Sequence, residues 1–241
     1  MKISRAATLS AAFGCAGLVA FAAGPMLAQL ELMSAFLSFR IMGLGLLIGL
    51  FALAFGAVGL WQTRGTNGRT GRSRAITGTL SGLIPLSIAA AAASIPGNVP
   101  MINDITTDTL NPPRFIAAAT DDANSGRDLD YPGEEFAAQQ RSGYPDIEPI
   151  RVPGPPASVF DRSVIAAEEL GWDLTLRDAA AGRFEAIAVS RVFHFVDDIV
   201  VRVRRDGADS IVDVRSKSRD GRSDMGANAA RIRRFRDELL H

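Results

Sequence analysis

Residues 213–231 read Asp-Val-Arg-Ser-Lys-Ser-Arg-Asp-Gly-Arg-Ser-Asp-Met-Gly-Ala-Asn-Ala-Ala-Arg, a strand-like run that ends in hydroxyls and bases and turns through glycine into a helix. That order can hold an anion. The first N–H groups of a helix lack internal partners and carry a partial positive charge. A guanidinium beside them can grip a carboxylate or phosphate through two parallel hydrogen bonds. Arg215, Ser216, Ser218, Arg219, Arg222, Asn228 and Arg231 are therefore the candidate ligand-binding residues. The same side chains have a structural use. Arg219, Asp224, Asn228 and Arg231 can bond within the protein, capping the helix and tying down the loop around 103–108. Asp224 or Ser223 at the N-cap would occupy part of the field an anion needs.

A second candidate is acidic. Asp197 and Asp198, with Asp213 nearby on the next strand, could supply metal ligands or a general base. A hairpin tip carrying two acids is more often a solvated turn. His194, flanked by Phe193 and Phe195, falls on an expected strand and reads either as an acid–base partner or as a packed histidine. No metal-spaced His/Cys cluster, Gly-rich nucleotide loop or nucleophile elbow occurs. No catalytic residue, metal or cofactor is therefore assigned. Cys15 is the single cysteine and excludes an intrachain disulfide. The preceding Ala12-Phe13-Gly14 makes a poor lipidation signal, so Cys15 reads as a membrane-buried thiol.

The elements that must position these residues follow from periodicity. Residues 157–170 recur apolar at Phe160, Val164, Ala167 and Leu170, helical spacing stopped by Gly171. Strands are expected over 172–176, 184–195, 199–205 and 210–218, with Asp206-Gly207 as the turn of a hairpin. In that hairpin one face is lined by Val201, Val203, Val212 and Val214, and the other bears Arg202, Arg204, Asp213 and Arg215. A helix follows over 225–240. Between 96 and 156 the chain is rich in Pro, Gly, Asp and Asn. Its anchors Ile102, Ile105, Phe115, Tyr131, Phe136 and Tyr144 predict irregular structure wrapped on the domain surface. The fold class is an α-helical membrane anchor followed by an α+β domain with a mainly antiparallel sheet packed by two helices.

The anchor is read from three uncharged runs, 6–28, 41–61 and 75–95, each near the roughly 20 residues that cross a bilayer as a helix. Charge is segregated to match. Residues 1–100 carry seven bases and one acid, leaving nineteen bases and twenty-five acids in residues 101–241. Arg64, Arg69, Arg72 and Arg74 crowd the loop at 62–74, and Lys2 and Arg5 mark the N-terminus. The positive-inside rule places both in the cytoplasm of an inner (plasma) membrane protein and the C-terminal domain in the periplasm. A cleaved signal peptide ending near Ala28 is the rival reading of the first run and leaves that domain on the same side. Without a charged residue inside any span, a pump or transporter is not expected. Gly45, Gly49, Ala52, Gly56 and Gly59 fall on one face of the second span, a helix-packing surface either for the other two spans or for a second copy or membrane partner.

Three stretches carry a resemblance: 103–108 with Pro112-Pro113-Arg114-Phe115, 195–203, and 213–232. Together they resemble domain-of-unknown-function family 1499, over about residues 100–240. The resemblance implies a domain behind membrane helices in an envelope or lumenal setting, and implies no activity.

The expected organisation is thus a membrane domain over 1–98 and an extracytoplasmic domain over 99–241. The preferred function is a non-catalytic, membrane-tethered binding or accessory domain for a partner protein or small anionic envelope ligand. An envelope hydrolase using the acidic residues and a structural subunit of a membrane complex are the alternatives. The lipid bilayer is the expected partner. Nucleic acid is not, because the domain is net acidic despite its basic last helix.

Overall fold

The computed structural model of the chain describes residues 2–65, 69–93 and 99–241. They form two compact units, Met1–Pro96 with Arg191–His194, and Gly97–Ser190 with Phe195–His241. The expected end of the third span and the expected boundary at 98 lie outside the described residues.

The first unit holds three helices long and apolar enough to cross a membrane, and these mark the chain as membrane-anchored. They are α1 (Arg5–Gln29), α2 (Ala35–Gln62) and α3 (Arg72–Ala93). Ser4 and Ser34 cap α1 and α2 by accepting hydrogen bonds from the backbone N–H of Ala7 and Leu37. The packing inverts that of a water-soluble bundle. Val19, Leu47 and Phe51 point outward, while Gly14, Gly17, Gly45, Gly49 and Gly56 face the neighbouring helices. Here glycine is a requirement of closeness. A Cβ on Gly45 would lie 2.4 Å from the backbone nitrogen of Phe21 and 2.7 Å from the carbonyl oxygen of Gly17. Gly49 approaches Gly82, and Gly56 approaches Thr79 and Ser10, so the glycine face is occupied within the bundle, Ala52 included through its contact with Gly82. Strand β1 (Lys2–Ile3) pairs in parallel with β2 (Arg69–Thr70), which brings the N-terminal residues and the second basic segment to one end of the bundle.

The second unit is built on one six-stranded antiparallel sheet. Its strands are β3 (Asp104–Thr106), β4 (Ile150–Val152), β5 (Asp173–Asp178), β6 (Arg183–Val189), β7 (Val196–Asp206) and β8 (Asp209–Ser218). Their spatial order is β3-β8-β7-β6-β5, with β4 also paired to β8. The hairpin has the expected parity: Val201 stands opposite Val214, Val203 opposite Val212, and Arg202 opposite Asp213. It closes through Gly207, whose φ of +64° is the left-handed conformation a tight hairpin turn needs. The valine face packs against α6 (Pro156–Glu169) and α7 (Ala227–Leu240). There Phe160 meets Phe184 edge to face, and Trp172 stacks on Phe235 at 5.1 Å.

Three sequence expectations change. The Pro-rich segment contributes β3, α4 (Ala117–Thr120), α5 (Glu134–Gly143) and β4, and Ile102, Ile105 and Tyr144 belong to the main core. The otherwise open edge of β8 supplies the physical reason, because its unpaired N–H and C=O groups recruit β3 and β4. The strand expected over 184–195 stops at Val189. Ser190 and Phe195 then close a turn by backbone and hydroxyl hydrogen bonds, and His194 sits in that turn at φ +59°. The last helix begins at Ala227, after a turn in which the Asp224 carboxylate accepts from the N–H groups of Gly226 and Asn228.

Candidate functional site

The sheet separates the sequence candidates onto two faces. On the face opposite α6 and α7, Arg215 is only 1% exposed. Its guanidinium donates to both carboxylate oxygens of Asp104, at 2.8 and 2.7 Å, and to the carbonyls of Pro113 and Leu129. It also lies 4.8 Å from the ring centre of Phe115 and 5.5 Å from that of Tyr131, an aromatic enclosure suited to a weakly hydrated cation. Lys217 donates to the same Asp104 at 2.9 Å. Burial, reinforced by the Asp104 charge, pushes the Tyr131 hydroxyl above its ordinary range, so it stays neutral. Arg219 grips Asp198 and reaches Asp121 at 2.9 Å. The Asp121 carboxyl is held below the usual carboxylate range, first by the backbone N–H of Ala123 and then by Arg219.

On the helix-packed face, Arg231 of α7 pairs with Asp197 and donates to Ser216 and Asn228. Asn228 donates to Ser218 at 2.9 Å and to the carbonyl of Asn103. This buried polar cluster fastens the start of α7 to the sheet. On the Arg215 face, Asp213 accepts from Arg202 and Arg204, and its Oδ1 is buried without a hydrogen bond. Two of the candidate bases are therefore partners of candidate acids, Arg231 with Asp197 and Arg219 with Asp198, whereas Arg215 is matched by Asp104 and the candidate acid Asp213 by Arg202 and Arg204. Arg222 is exposed. Among the described residues there is no group of three or more His, Cys, Asp or Glu placed to hold a metal ion.

Two cavities open where the 107–131 segment covers the sheet. The first, of about 250 Å³, is lined by Asn111, Pro112, Pro113, Arg114, Ala181, Arg183 and Arg202. Three guanidinium-bearing residues and no carboxylate form its wall. Arg183 donates to the carbonyl of Arg114, while its Nε is buried without a partner. Arg202 is already matched by Asp213, so Arg114 and Arg183 supply the uncompensated charge. The second cavity, of about 350 Å³, shares Arg114 and includes Asn124, Arg127, Asp128 and Asp130. Asn124 donates to the Ala118 carbonyl and Asp198, leaving its Oδ1 buried and unbonded, as is Nε of Arg127. Arg183, Asn124 and Arg127 stood out in no motif. Arg114 lies in the Pro-Pro-Arg-Phe stretch that carried the family resemblance, and that was the one available signal.

An exposed pair is expected to contribute little to stability, as surface ion pairs do. Arg233 meets Asp146 through two hydrogen bonds of 2.6 Å, and this contact, ahead of opposing desolvation, lowers the Asp146 carboxyl below the usual range. A carboxyl lowered on folding stabilises the fold above its unfolded pKa, and that contribution disappears as pH falls through the folded value. Carboxyl-carbon NMR of the full chain is expected to show Asp146 rising toward ordinary values in Arg233→Met. The accompanying stability loss at neutral pH should be under about 1 kcal/mol, because both groups are screened by solvent. An unchanged Asp146 titration would refute the assignment.

No curated protein matches the chain by sequence. The sheet unit is matched at the level of family: residues 104–239, from the first residue of β3 to the penultimate residue but one, fit the family described as protein of unknown function (DUF1499). Because that match covers more than half of the chain and takes in every strand of the sheet and the helices packed on it, the chain belongs to the DUF1499 family.

Proposed function

We propose that residues 99–241 form a periplasmic, non-catalytic binding domain for a small anionic envelope ligand, tethered by a membrane domain over 1–98. The cavity walled by Arg114, Arg183 and Arg202 carries this reading, because guanidinium groups with no lining carboxylate and a buried, unbonded Arg183 Nε favour an anion. The absence of catalysis is supported by the arginine donors that occupy Asp197, Asp198 and Asp213. Orientation with the N-terminus cytoplasmic is supported by the gathering of both basic segments at one end of the bundle. Backbone-close packing of Gly14 on Gly78 and of Gly17 on Gly45 and Gly49 supports α1 as a retained span.

The test is calorimetric titration of the detergent-extracted full chain with phosphate, sulfate and acetate, using a neutral polyol as control. Anion binding is expected, and Arg114→Ala/Arg183→Ala should weaken it at least about tenfold, the scale of one lost charge-assisted hydrogen bond. Binding unaffected by the double substitution, or no anion binding, would overturn the reading.

A further inference from the structure

The geometry points to a headgroup site for an anionic phospholipid at the basic end of the helical unit. Ile3, Arg5, Thr8, Leu9 and Arg74 line a cavity of about 420 Å³ there. Its chemistry is divided as a phospholipid is. Ile3 and Leu9 are large apolar side chains left half exposed, whereas Arg5 and Arg74 present guanidinium groups at the first turns of α1 and α3. Arg74 donates to the Thr8 hydroxyl at 3.2 Å, which fixes one guanidinium across the gap between the two helices. The Thr8 hydroxyl in turn donates to the carbonyl of Ser4.

Two features make the local charge positive and uncompensated. Both helices begin at this end, so their partial positive poles add to the arginines. Glu31 is the single acid in residues 1–100, and it follows the opposite end of α1, roughly 37 Å away at 1.5 Å per residue. No carboxylate of the helical unit can therefore neutralise Arg5 or Arg74. A counter-charge must come from outside, and at the end of a membrane-spanning helix the abundant anion is a lipid phosphate. The phosphodiester would sit between Arg5 and Arg74, with the acyl chains running past Leu9 and Ile3 along the bundle.

Native mass spectrometry of the detergent-extracted full chain tests this, with phosphatidylglycerol, phosphatidylcholine or inorganic phosphate added. One phosphatidylglycerol should be retained in preference to phosphatidylcholine. Arg5→Ala/Arg74→Ala should reduce that preference about 25-fold, each guanidinium contributing about fivefold. Arg5→Ala alone should lose about fivefold while leaving the Thr8–Arg74 bond intact. Arg64→Ala, at the same end of the bundle but outside the cavity, should change retention less than twofold. Equal retention of the two lipids overturns the site, as does an equal loss in Arg64→Ala, which would mean a diffuse basic belt. Displacement of the lipid by inorganic phosphate at equal concentration would make it a free-anion site and would also overturn the proposal.

Discussion

Asp104→Ala is expected to lower the melting temperature of the sheet unit by roughly 9–20 °C. Asp104 is fully buried and is the counter-ion of both Arg215 and Lys217. Removing it leaves Arg215, 1% exposed, as an unmatched cation in a low-dielectric interior. Breaking a buried pair from one side costs about 3–5 kcal/mol, and a unit of this size loses roughly 3–4 °C per kcal/mol. The loss comes mainly from the stranded charge and less from the vanished attraction. Asp104→Leu/Arg215→Met/Lys217→Met, which removes the buried acid together with both of its cations, should therefore recover most of it. Trp172, stacked on Phe235 in the core, reports the transition by fluorescence when Trp61 is replaced by Phe. A change of less than 2 °C in Asp104→Ala would show that the interior around Arg215 is wet and the pair superficial.

The second large effect lies in the helices. Gly45→Leu is expected to cost about 3 kcal/mol and to open the bundle, because the new side chain meets the backbone of Phe21 and Gly17 at 2.4 and 2.7 Å. Backbone cannot rotate away as a side chain can. Gly43, two residues earlier on the same helix, has nothing within 4 Å of an added Cβ, and Gly43→Ala should leave the bundle unchanged. Limited trypsin digestion in detergent compares them: cleavage after Arg40 should accelerate at least tenfold in Gly45→Leu and stay at the wild-type rate in Gly43→Ala. Equal rates would indicate that Gly45 does not pack where the structure puts it.

Much of the architecture was legible because it rests on local rules. Uncharged runs marked the three helices, and alternation fixed both faces of the β7–β8 hairpin before any pairing partner was known. What local rules could not convey is long-range pairing. Residues 104–106 lie in a Pro-, Asn- and Asp-rich stretch and become strand β3 because the edge of β8 offers bonds from the far end of the chain. The same limit applied to charge. Arg215, Arg219 and Arg231 looked like an anion clamp in sequence, yet their carboxylates Asp104, Asp198 and Asp197 come from other strands. Arg114 and Arg183, which line the cavity beside no carboxylate, lie 69 residues apart in the sequence, and only folding brings them together.

The 111-residue separation between Asp104 and Arg215 also governs the order of events during synthesis. The outer strand and its carboxylate leave the ribosome first and can meet Gln140 of α5 early, but their strand partner and their cationic partners exist only once β8, nearly the last segment made, has appeared. A chain arrested before that point has an unpaired strand, an unmatched acid and an exposed apolar sheet face. The domain thus stays unlocked through most of its emergence, and its sheet closes only when β8 arrives.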